Sequence, residues 1–145
     1  MNNLLFLTVL ALFAAGTVSA SVDECRVGLE LKKSNQVTET KFRTFKEELA
    51  KAFKKKPEFY LTEDQNTEFQ LKLRLDTFWD HHSGDIMADV NLDVFKDGSN
   101  IFEKWILGPE SEDDAGALSN RNIRSLVKDL FKESLKSCEF LRSQE

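Results

Sequence analysis

Phe69-Gln70-Leu71-Lys72-Leu73-Arg74-Leu75-Asp76-Thr77-Phe78-Trp79 and Ile86-Met87-Ala88-Asp89-Val90-Asn91-Leu92-Asp93-Val94-Phe95 decide how this chain folds. Phe69, Leu71, Leu73, Leu75 and, beyond Thr77, Trp79 recur at every second position. Ile86, Ala88, Val90, Leu92 and Val94 repeat the pattern. Alternation of this length marks antiparallel strands with one face buried and the other wet. Asp80-His81-His82-Ser83-Gly84 is the tip of the hairpin between them. Two registers keep both apolar sets on one face: one sets Arg74 opposite Asp89, the other sets Asp76 there. Opposite charges attract across a ladder and like charges repel, which favours Arg74 opposite Asp89.

Asp97-Gly98 then predicts a second tight hairpin, because the favoured two-residue turn needs positive φ at both positions. A strand from Asn100 to Leu107 follows, closed by Gly108-Pro109. It carries apolar residues of both parities, Ile101, Trp105 and Leu107 against Phe102 and Ile106. Such a strand is either covered on both faces or lies at a contact surface. Upstream, Val27, Leu29 and Leu31 alternate as a short strand. Phe42, Phe45, Leu49 and Phe53 have helical spacing from an N-cap at Thr38 or Thr40. Lys54, Lys55 and Lys56 suit the negative end of that helix, which Pro57 ends. Glu58 to Leu61 reads as another short strand. Downstream, Glu110 to Ala117 reads as an acidic loop. Ile123, Leu126, Val127, Leu130, Phe131 and Leu135 define a second helix from Ser119 or Asn120, with Cys138 at its end. The order of strand, helix, four strands and helix predicts an α+β two-layer sandwich. Its mainly antiparallel sheet has about five strands, with two helices on one face.

Residues 1–20 read as a signal peptide. Leu4 to Ala15 is apolar but too short to span a bilayer, and Val18-Ser19-Ala20 is a small-residue cleavage signature. Cleavage near Ala20 leaves residues 21–145, the size of one domain, secreted or periplasmic and without stable membrane insertion. Export puts Cys25 and Cys138 in an oxidising compartment, where two cysteines predict one disulfide. The formal charge of −5 argues against nucleic acid as a partner.

Val27-Gly28-Leu29-Glu30-Leu31, Phe45 to Phe53, Glu58-Phe59-Tyr60-Leu61, Phe69 to Leu75, and Lys96-Asp97-Gly98 before a strand with Trp105 together resemble a recurring pattern. It is that of small bacterial periplasmic envelope lipoproteins, including auxiliary components of ABC-type transport systems. Those proteins are typically lipidated, whereas Val22-Asp23-Glu24 before Cys25 is not a lipobox. The resemblance implies a non-enzymatic accessory or binding role in an envelope complex.

Chemistry has few candidates. Asp80, His81, His82 and Asp85 supply imidazole and carboxylate ligands for zinc or copper around the hairpin tip, with Asp76 nearby. A metal-binding protein, or a small hydrolase centred on Asp80–Gly84, is therefore the alternative reading. Ser83 beside His82 is not a triad, and neither a phosphate loop nor H-E-x-x-H is present, so no catalytic residue and no cofactor are expected. Phe78, Met87 and Phe95 fall on the parity opposite the core set and, with Phe102, form a candidate apolar contact for a protein partner. The expectation is an exported accessory or binding protein acting through protein or ligand contacts.

Overall fold

The computed structural model describes residues 24–64 and 66–145, so the expected leader and its cleavage site lie outside the described residues. Five strands, β1 (Cys25–Lys33), β2 (Phe59–Leu61), β3 (Phe69–Trp79), β4 (Ile86–Lys96) and β5 (Ser99–Ser111), form one sheet in the order β2-β1-β3-β4-β5. β3, β4 and β5 are antiparallel neighbours and supply most of the ladder, whereas β1 runs parallel to both β2 and β3. The fold is the α+β arrangement that the alternating segments predict. Helix α1 (Glu39–Lys54) connects β1 to β2 and gives the chain the length it needs to return parallel.

The long hairpin takes the register that cross-strand charge disfavours: Asp76 stands opposite Asp89, and Arg74 opposite Asn91. The tip decides it. Asp80 N donates to Asp85 O and Gly84 N to Asp80 O, both at 2.8 Å, and Gly84 supplies φ +77°. The second turn is as expected, with φ 51° at Asp97 and 79° at Gly98. Gly98→Ala puts a β-carbon into that left-handed position, and is expected to cost about 1 kcal/mol in urea unfolding. Replacing Asp97 by Asn or Gly, which both tolerate it, is expected to be near neutral.

β5 continues past Gly108 and Pro109 to Ser111 rather than ending there. It is an edge strand, where a missing N–H can face outward. Its ladder shifts between Met87 and Asp89, so that Gly108 and Pro109 together oppose Ala88. The expected acidic loop also contains a short helix, α2 (Asp114–Ala117), capped by the Asp113 carboxylate on Gly116 N at 2.6 Å. Thr77 Oγ1 donates to Asp114 Oδ1 at 2.7 Å and ties it to β3.

Helix α3 (Asn120–Glu133) starts at the Ser119 cap and ends before Leu135. Cys138 opens a fourth helix, α4 (Cys138–Arg142), rather than closing the third. Phe45, Leu49 and Phe53 of α1 and Ile123, Leu126 and Leu130 of α3 share one core with the inward residues of β3 and β4. Phe53 meets Phe131 edge-on at 4.9 Å, locking α1 to α3. Each of these apolar side chains contributes roughly 1.5–3 kcal/mol by leaving water. No helix among the described residues is long and apolar enough to cross a membrane.

The two ends of the described chain are joined. Cys25 and Cys138 form a disulfide with Cα atoms 5.8 Å apart. Beside it Arg142 donates to both carboxylate oxygens of Glu68, at 2.6 and 2.9 Å, and to Glu24 O at 2.9 Å. The Arg142 hydrogen bond holds Glu68 below the usual carboxylate range.

Candidate functional site

With both long helices on the inner face, the alternate residues of β1, β3, β4 and β5 are left on an outer face without helical cover. Register sets them in rows. Glu30, Lys72, Asp93 and Glu103 lie side by side, then Lys32, Arg74, Asn91 and Trp105, then Asp76, Asp89 and Leu107, and finally Phe78 and Met87. The first three rows, apart from Leu107, line a groove of about 400 Å³, within the size range of small-molecule sites.

Most charges in the groove have partners. Glu30 receives Lys32 at 3.0 Å and Lys72 at 3.9 Å, and Arg74 meets Asp76 at 3.7 Å. Asp93 accepts from Asn100 Nδ2 at 3.0 Å, and Glu103 from Trp105 Nε1 at 2.9 Å. Turned so that both ends of its amide are satisfied, Asn91 also accepts from Trp105 Nε1, at 3.0 Å. Trp105, more than half exposed, is thus fixed as one wall.

Asp89 differs from all of these. It is only 3% exposed, and no described group donates a hydrogen bond to its carboxylate or forms an ion pair with it. Loss of water, and then the Asp76 carboxylate opposite, push its pKa up to about 6, against the pull of Arg74.

The hairpin tip is organised by its own backbone. Asp80 accepts from His82 N and from Ser83 Oγ, both at 3.1 Å. These bonds hold its carboxyl below the usual range. His81 stands edge-on to Trp79 at 4.5 Å. Asp80, His81, His82 and Asp85 therefore share a turn without converging: among the described residues no group of three or more His, Cys, Asp or Glu is placed to hold a metal ion. Of the apolar contact candidates, Phe78 and Met87 are cross-strand partners. Phe95 sits further along the face, under the Lys72 ammonium at 4.6 Å. Phe102 turns inward onto Phe140, with ring centres 5.8 Å apart. Of the groove residues, sequence reasoning passed over Asn91 and Glu103, while Asp89 entered it through the hairpin register and Trp105 through the pattern of β5. The double-parity apolar pattern of β5 was the signal that pointed toward them.

Charge is segregated between the layers. Residues 38–57 and 119–137, the two long helices with their flanks, carry twelve of the twenty Lys and Arg but only five of the twenty-five Asp and Glu. The described residues outside those two segments, mostly the sheet and its loops, hold nineteen Asp and Glu against eight Lys and Arg, so the groove opens on the more negative side of the molecule.

No protein-family model and no curated protein sequence matches the chain. Its fold is similar to that of protein XCC0632 from Xanthomonas campestris, assigned to DUF330, with TM-score 0.54 and 9% identity over 86% of this chain and 87% of that one. It is similar to the hypothetical protein CT253 from Chlamydia trachomatis, with TM-score 0.51 and 13% identity over 83% and 96%. It is also similar to a subunit of the PelC dodecamer from Paraburkholderia phytofirmans, with TM-score 0.50 and 10% identity over 75% and 86%. At these identities the likeness is one of fold, which does not transfer function.

Proposed function

We propose that this chain is an exported accessory or binding protein of a bacterial cell envelope, working through protein or ligand contacts on the outer face of its sheet. One observation carries the reading: that face lacks helical cover and combines a groove with exposed Phe78, Trp105 and Leu107. Aromatic side chains with a charged rim suit recognition. The leader-like residues 1–20 and the disulfide fit an oxidising compartment. The similar folds come from bacteria, which agrees with a bacterial source. PelC is described as a dodecamer, so a second copy of this chain is among the partners to test.

The test is crosslinking in the source cell. Benzoylphenylalanine at position 78 or 87 should give a discrete adduct in the exported fraction, on a chain whose mature N-terminus is Ser21. The same label at position 47, exposed on α1, should not. Equal labelling at all three positions, or a chain retained uncut in the cytosol, would overturn the reading.

A further inference from the structure

We infer that the outer-face groove binds a small organic cation, its ammonium or guanidinium group seated on Asp89 and its carbon body against Trp105. This deepens the proposed binding role and rests on the outer face being the binding face.

Burial and partnering decide it together. A carboxylate taken out of water without a counter-charge is costly, and native proteins rarely keep one without use. The cations nearest to Asp89 in the groove are engaged elsewhere, Arg74 with Asp76 and the two lysines with Glu30. Asp89 lines the groove without a hydrogen-bond donor of its own. A cation from solution would complete it.

The surroundings select the kind of cation. A hard metal ion asks for six or more oxygen ligands in a tight shell, and no such cluster is formed among the described residues. An organic cation asks for less: one carboxylate for its charge, an aromatic face, and room for a carbon chain. Trp105 occupies the β5 position beside Asn91. It is exposed by more than half, and the groove is far larger than a bare ion needs. Basic residues concentrated in the helical layer leave the groove on the side toward which cations are drawn.

The chain has two tryptophans, Trp79 and Trp105, so Trp79→Phe leaves Trp105 as the sole indole reporter. In that background, benzylamine and agmatine at constant ionic strength are expected to change Trp105 emission saturably, with dissociation constants below about 1 mM, while benzoate does not. Asp89→Asn should weaken both amines at least tenfold. Circular dichroism of Asp89→Asn, in which the strained charge is gone, should show the native fold. Absence of saturable binding by either amine up to 10 mM, or unchanged affinity in a folded Asp89→Asn, would overturn the inference. Crosslinking from positions 78 and 87 is read on other residues. An adduct there with no amine binding would leave the contact reading standing and remove only this one.

Discussion

Replacing Cys25 and Cys138 together by serine is expected to lower the free energy of unfolding by about 4–5 kcal/mol, the loop-closure entropy that the bridge removes from the unfolded chain. The bridge spans a sequence separation of 113, and both cysteines are buried. Domains of this size are typically stable by only about 5–15 kcal/mol, so the loss takes a large share. It should also be uneven. Helix α4 has five residues, too few to persist alone, and depends on the disulfide, on buried Leu141 and on the Arg142–Glu68 pair. Amides of residues 138–145 are therefore expected to lose hydrogen-exchange protection before those of β3 and β4. Urea unfolding of the oxidised, reduced and doubly substituted proteins at one pH checks this. A midpoint indifferent to reductant would contradict it.

The sheet was legible in the sequence because alternation at period two has no other cheap explanation. The helix starts were legible to within a residue or two, Thr38 or Thr40 and Ser119 or Asn120, because an accepting side chain beside the first free amides is a local need. The caps are Thr38 and Ser119. What escaped was whatever depends on more than one segment. Both hairpin registers bury the same leucines and valines, so apolar patterning could not choose between them. The closing turn at Asp80–Asp85 did, against the charges. Val27, Leu29 and Leu31 alternate identically in either strand direction, and β1 became parallel through its connection by α1. Gly108-Pro109 read as a stop because proline ends most strands, yet on an edge it need not. The groove escaped for the same reason: Asp89 is one of many carboxylates until the register sets it opposite Asp76 and beside Leu107.

That placement gives the second large effect. Asp89→Asn is expected to stabilise the protein at pH 7.5 by up to about 3 kcal/mol, the worth of about two pKa units, reduced by whatever water the groove admits. The sign follows from where the proton is held. The folded carboxyl titrates near 6 against an ordinary 3.8, so the folded state binds the proton more tightly than the unfolded one. The resulting stability is complete below about pH 4 and is lost as the pH rises through 6; above that the buried charge opposes folding. Asparagine keeps the shape without the charge, so the two proteins should be close at pH 4 and separate as the pH rises. The other charges facing Asp89 across the groove are Glu30 and Lys32 on β1, Lys72, Arg74 and Asp76 on β3, Asp93 on β4 and Glu103 on β5. They are present in both proteins, so the difference reports Asp89 together with its coupling to Asp76 and Arg74. Urea unfolding at pH 4, 5.5 and 7.5 measures it, and a difference flat with pH, or a destabilised variant at pH 7.5, would count against the strained carboxylate. Benzylamine supplies the complementary measurement. A ligand that binds only the folded state stabilises it in proportion to the logarithm of its concentration. At pH 7.5 it should therefore raise the melting temperature of the wild type, leave Asp89→Asn nearly unmoved, and narrow the gap between them.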